Sequence, residues 1–155
     1  MANPIPQGFH TVTPFLVLRN AATGLEFYKR AFGAEEVECV TGPGGKIMHA
    51  EIRIGDSMLM LSDEFPDMGC HSPQALGGTP VSLYLYVRDV DALFKQAVAA
   101  GASALLPVTD MFWGDRYGKL ADPFGHIWSL ATRKEDLTPE EIGRRSEAYF
   151  AQAVM

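Results

Sequence analysis

The chain has 155 residues, a formal net charge of -6, 47% hydrophobic and 21% charged residues. These values suit a soluble globular protein of one domain or two small fused halves. They argue against a nucleic-acid partner, which needs a basic surface.

Residues 12–19, VTPFLVLR, read as a strand. Residues 20–34 read as a helix, with Asn20 as N-cap and an apolar stripe of Leu25, Phe27, Tyr28, Ala31 and Phe32. Gly33 is placed to end it in a left-handed C′ position. EEVECVTG follows as a strand, and the glycine-rich turn at 42–45 leads into the alternating strand KIMHAEIRIG. There Met48, Ala50, Ile52 and Ile54 share one face, and Ile47, His49, Glu51 and Arg53 the other. A Gly55-Asp56 turn precedes the strand SMLMLSDE. Residues 65–80 are rich in Gly and Pro, lack periodicity, and read as a linker.

After the linker the order repeats. VSLYLYVR is a strand; residues 89–102 form a helix with Asp89 as N-cap and Gly101 as its stop. SALLPVTDMFWG includes a strand and a loop, DRYGKLADP is a strand entering a turn, and GHIWSLATR is the last strand; FWGDRYG, residues 112–118, joins two strands. In DPFG, Asp122 at i, Pro123 at i+1 and Gly125 at i+3 fit a type I turn, which gives Asp122 a structural role. His126 reads as a hydrogen-bonded structural residue and Trp128 as core. Thr138-Pro139-Glu140-Glu141 opens a C-terminal helix.

The halves overlay with one single-residue gap: Asn20 falls on Asp89, and Gly33-Ala34 on Gly101-Ala102. IGDSMLMLS likewise lies over FGHIWSLAT. The expected fold is α+β: two tandem βαβββ modules, about 8–64 and 81–133, with 65–80 as linker. Together they make a domain over 1–135, followed by a helical extension over 136–155.

The phrases FYKRAFGAEEV, HAEIRIGDSMLMLSDE, YVRDVDALFKQAVAAGA and KLADPFGHIWSLATR resemble the vicinal oxygen chelate superfamily, and most closely its PhnB-like branch. That superfamily includes glyoxalase I, bleomycin-resistance proteins and extradiol dioxygenases. The resemblance implies curved mixed sheets around a cavity, helices on the convex faces, and a homodimer that completes the cavity. Metal-binding members place a His or Gln near the start of each module's first strand and a Glu on its last. Those positions fall here on Thr13 and Ser82, and on Met60 (or Leu59) and Ser129. None offers an imidazole or carboxylate, so no cofactor is expected at the superfamily's metal site.

Strand alternation predicts that Phe15, Tyr84 and Tyr86 face the cavity. In the 112–118 stretch, Trp113 and Tyr117 suit a planar ligand, Arg116 an anionic one, and Asp115 is either a base or the partner of Arg116. The expected activity is metal-independent binding of a small organic molecule. The alternative is an enzyme of the same fold, with His49 or Glu51 as general base and Arg116 against an oxyanion. His49 and Glu51, i and i+2 on a strand, also raise an atypical metal site completed by His10, Asp115 or His126. The N-terminal residues lack a signal-peptide pattern, no apolar run is long enough to span a membrane, and Cys39 and Cys70 form no CxxC, which together point to the cytoplasm.

Overall fold

A computed structural model describes residues 1–153. Strand β1 (Phe15–Leu18) leads into helix α1 (Ala21–Phe32), then β2 (Glu35–Thr41), β3 (Ile47–Ile54) and β4 (Ser57–Asp63). A short helix α2 (Pro73–Leu76) lies in the connection to β5 (Ser82–Tyr86). Helix α3 (Val90–Ala100), β6 (Ser103–Asp110), β7 (Asp115–Ala121) and β8 (Ile127–Arg133) repeat the first half, and α4 (Pro139–Ala153) closes the described chain. Each half is a four-stranded mixed sheet, ordered β1-β4-β3-β2 and β5-β8-β7-β6. In both, the first strand runs parallel to the last and the other pairs are antiparallel. The expected α+β fold of two βαβββ modules and a C-terminal helix is the fold observed.

The helix ends follow from their caps. Asn20 accepts from Thr23 N at 3.2 Å and Asp89 from Ala92 N at 3.1 Å, satisfying donors that the first turn leaves free. The two caps have nearly the same backbone, φ/ψ of -143/87 and -136/89, so the duplication extends to local geometry. Gly33 ends α1 at φ 67, the left-handed region open to glycine without penalty. Thr138 caps α4 through Glu141 N at 3.2 Å.

The core is shared between the modules. Trp128 of β8 is fully buried, and its ring lies 4.6 Å from Phe32 and 5.4 Å from Tyr28, both on α1. Gln96 of α3 donates to Arg30 O and Ala31 O, the last turn of α1. His126 Nε2 lies 2.9 Å from Val17 O, tying β1 to the start of β8. Asp122 is more than a turn residue: one carboxylate oxygen accepts from Phe124 N and His126 N, the other from Tyr28 Oη and Trp128 Nε1.

Residues 65–80 are built rather than slack. Phe65 bridges to Cys70, a 3-10 turn covers Pro66–Met68, and buried Ser72 caps α2 while donating to Glu64. Elements three or four residues long show no periodicity, so the segment reads as a linker in sequence. The connection between β6 and β7 is residues 111–114; Asp115-Arg116-Tyr117-Gly118 belongs to β7, as the strand reading of DRYGKLADP has it, and not to the joining stretch.

Gly118 lets α3 seat on the sheet: a Cβ there would lie 2.8 Å from Phe94 and 2.9 Å from Val108. Gly118→Ala should therefore destabilise the fold by about 2 kcal/mol through overpacking, measurable by urea unfolding. A variant as stable as the parent would show that the helix–sheet spacing is not set there. Among the described residues, no helix is long and apolar enough to cross a membrane.

Candidate functional site

Each sheet carries its helix on one face and leaves the other open. On β5, Leu83 and Leu85 pack into the core, so Tyr84 and Tyr86 stand on the open face by alternation, 43% and 63% exposed. Their partners on β8 are small: Tyr84 pairs with Ser129, and Tyr86 with Ala131, which pairs in turn with Tyr117 of β7. Small residues on β8, which lies between β5 and β7, leave space for rings to meet above them. Tyr84 and Tyr117 stack at 5.6 Å, Tyr84 lies 5.1 Å from Tyr86, and Trp113 packs edge-on at 5.6 Å from Tyr117.

One carboxylate organises this surface. Asp115, 4% exposed, accepts at a single oxygen from Tyr84 Oη (2.9 Å), Tyr86 Oη (2.9 Å) and Trp113 Nε1 (3.0 Å). Tyr117 is fixed separately, its hydroxyl 3.0 Å from Ser129 Oγ. Polar ends are thus bound down; the Tyr84 and Tyr86 rings stay exposed and Trp113 is half-buried, while Tyr117 is itself buried and backs them. The 111–114 loop is itself held: Lys134 N and Glu135 N donate to Gly114 O, and Phe112 packs against Tyr149 and Phe150 of α4.

Burial raises the Tyr84 phenol above its ordinary value, and the hydrogen bond to Asp115 adds to this. For Tyr86 the hydrogen bond to Asp115 comes first and burial second. Tyr28 is raised by burial, then by the charge and hydrogen bond of Asp122. A raised pKa means that the unfolded chain gives up the proton first. Stability from these tyrosines is therefore complete below the unfolded phenol value of about 10 and falls as pH rises beyond it. An alkaline titration by phenolate absorbance should find these three ionising late, together with falling stability; three phenols titrating near 10 would contradict this.

Arg116 sits elsewhere. Alternation along β7 puts it on the helix face with Gly118, where it grips Asp91 of α3 through two nitrogens (2.8 and 2.9 Å) and Asp110 at 3.2 Å. It neither pairs with Asp115 nor joins the aromatic surface. The charged groups at that surface are Asp115 and its cross-strand partner Arg133, which is engaged by Asp136 at 2.5 Å, so the reason Arg116 gave to expect an anionic ligand is gone.

Phe15, His49 and Glu51 lie on the open face of the other sheet. The Phe15 and His49 rings are 6.1 Å apart, and His49 Nε2 is 3.6 Å from Glu51 Oε1. The third member of the group is Glu38, not His10, Asp115 or His126. Sequence reasoning missed it because a register shift in β2 reverses its face. The donors at the superfamily's metal positions do not fit a divalent cation: a threonine hydroxyl directed to His10 O, two serines and a thioether. Ser129 has another role there, bonding Tyr117 and leaving room for its ring.

A groove of about 650 Å³ runs beside β5, lined by Tyr84, Tyr86, Phe32, Ile54, Ser57 and Gln96 among others. It reaches the aromatic surface through its two β5 tyrosines but does not include Trp113, Asp115 or Tyr117.

Comparison with known proteins agrees with this architecture. The Mycobacterium bovis protein Mb0911c, described as uncharacterized, is 46% identical over 134 residues, covering 84% of this chain and 88% of that protein. The crystal structure of the Arabidopsis thaliana At5g48480 product, 28% identical, superposes with a TM-score of 0.64 over 79% of this chain and 98% of that one. A Bacillus cereus structure titled as a putative 3-demethylubiquinone-9 3-methyltransferase, PhnB protein, shares the fold at 22% identity, with a TM-score of 0.61 over 79% of this chain and 99% of its own. The family model that matches spans residues 9–130, and with it the chain belongs to the Glyoxalase/Bleomycin resistance protein/Dioxygenase superfamily.

Proposed function

We propose that the protein binds a flat organic molecule, neutral or cationic, on the Tyr84–Tyr86–Trp113–Tyr117 surface, with no metal at the superfamily's usual position. The carrying observation is the buried Asp115 carboxylate that accepts from three of these four side chains. Rings held in place by a shared acceptor lose little freedom when a ligand stacks on them, and a carboxylate beneath aromatic faces favours positive charge. The branch-level likeness to PhnB proteins is consistent with this reading and names no ligand.

The binding unit in this reading is a homodimer in a cytoplasmic, reducing setting. Both open faces carry half-exposed apolar rings, including Phe15 at 48%, which a soluble monomer rarely leaves uncovered. Two free thiols, Cys39 and Cys70, accord with the compartment.

A thermal-shift screen of planar neutral, cationic and anionic compounds tests the proposal. A ligand at a hundredfold its Kd contributes about 2.7 kcal/mol, or roughly 5–10 °C for a chain of this size. Neutral or cationic planar compounds should give such shifts, and the Tyr84→Ala/Tyr86→Ala double variant should lose them. Shifts that persist in the double variant, or that come only from anions, would overturn the assignment.

A further inference from the structure

The second open face holds a different set of groups. In β2 the register slips between Glu36 and Glu38, leaving Val37 as an extra residue against β3. Regular alternation would put both glutamates on one face. The bulge separates them. Glu36 stands opposite the core residue Ile52 and reaches Lys29 of α1 at 3.2 Å, whereas Glu38 stands opposite Glu51. Bulges re-aim side chains in this way.

The outcome is electrostatically unfavourable on its own. Two carboxylates face one another directly across a ladder, an arrangement that destabilises a sheet. Glu51 is only 14% exposed in its side chain, and His49 is 3.6 Å away. Among the described residues, no lysine or arginine forms an ion pair with Glu38 or Glu51. Arg53, the next cation along β3, is committed to Glu35 at 2.6 Å.

We propose that Glu38, His49 and Glu51 form a binding site for a divalent transition-metal ion. One ligand atom from each lies within 4.8 Å of the other two. Metal–nitrogen and metal–oxygen bonds of about 2.0–2.2 Å place tetrahedral ligands roughly 3.4 Å apart. The His49–Glu51 pair is already near that separation, and exposed Glu38 has the side-chain freedom to close the remainder. Two carboxylates and a neutral imidazole balance a doubly charged cation. The imidazole favours zinc, cobalt or nickel over magnesium, which prefers oxygen and water. This site uses strands β2 and β3, not the superfamily positions at Thr13, Met60, Ser82 and Ser129. It lies on the opposite module from the aromatic surface, so either proposal stands or fails alone.

The test is calorimetric titration of the chelator-treated full-length protein with zinc(II) and magnesium(II), with cobalt(II) absorbance as a report of inner-sphere ligation. One zinc per chain should bind, and magnesium at the same concentration should not. Replacing an outer-shell partner of a metal ligand already costs 10–100-fold in affinity, so His49→Gln and Glu38→Gln should each cost at least tenfold. His10→Gln and His71→Gln, which remove exposed histidines elsewhere, should leave affinity unchanged. Circular dichroism checks the folding of each variant, and Glu38→Gln, at an exposed edge-strand position, keeps the test decisive if His49→Gln misfolds. Absence of zinc binding by the parent, or binding undiminished in Glu38→Gln, would overturn the site.

Discussion

Asp122→Ala should cost roughly 3–5 kcal/mol of stability, the largest loss expected from any single change to a polar residue here. Its carboxylate satisfies two turn amides and two buried side-chain donors, Tyr28 Oη at 2.6 Å and Trp128 Nε1 at 2.9 Å. Tyr28 and Trp128 are both fully buried, so alanine would leave an O–H and an N–H with no water to replace the acceptor. At about 2–4 °C per kcal/mol, the melting temperature should fall by roughly 10 °C or more. Tyr28→Phe removes one of the four bonds and should cost only about 1 kcal/mol. Urea unfolding followed by tryptophan fluorescence distinguishes these. A loss under about 1 kcal/mol for Asp122→Ala would mean that the carboxylate does not organise the inter-module core.

Asp115→Ala should show the reverse balance: modest loss of stability, large loss of ligand binding. Tyr84 and Tyr86 are partly exposed, and their hydroxyls can turn to water when the acceptor is gone. The rings, however, would no longer be held. Re-ordering three side chains on binding costs about 0.5–1.5 kcal/mol each, so a loss of about 2–3 kcal/mol, near a hundredfold in Kd, is expected. A titration of any hit from the thermal-shift screen measures this directly. If Asp115→Ala bound as tightly as the parent, preorganisation by the carboxylate would be ruled out as the source of affinity.

The repeat, the helix caps and the turn at Asp122 were legible in sequence because each rests on local chemistry. A side chain that accepts from its own first turn, or a glycine that must be left-handed, leaves its mark within a few residues. Face assignment on β5 was legible for the same kind of reason: Leu83 and Leu85 alternate with Tyr84 and Tyr86, and the pleat does the rest. Three site features were not. Arg116 follows Asp115 in sequence, yet the pleat puts it on the opposite face, and its partner Asp91 lies a helix away. The sequence marks a strand from Asp115 onward, but treating FWGDRYG as one ligand-contacting stretch passes over the alternation that separates Asp115 from Arg116. Glu38 was hidden by the bulge at Val37, since a register shift depends on the partner strand and not on β2 alone. Asp115 was recognised as a candidate, but its three donors come from β5 and the preceding loop, a convergence that only the fold brings about.

The central claim is that ligand binds at the aromatic surface of the second module. Two tryptophans allow it to be tested at residue level. Trp113 is on that surface with its indole N–H on Asp115, whereas Trp128 is fully buried with its indole N–H on Asp122. In a heteronuclear NMR titration with a planar hit, the Trp113 indole resonance, assigned by its loss in Trp113→Phe, should shift saturably with ligand while that of Trp128 stays in place. A ligand that binds while leaving the Trp113 resonance unmoved would contradict the account.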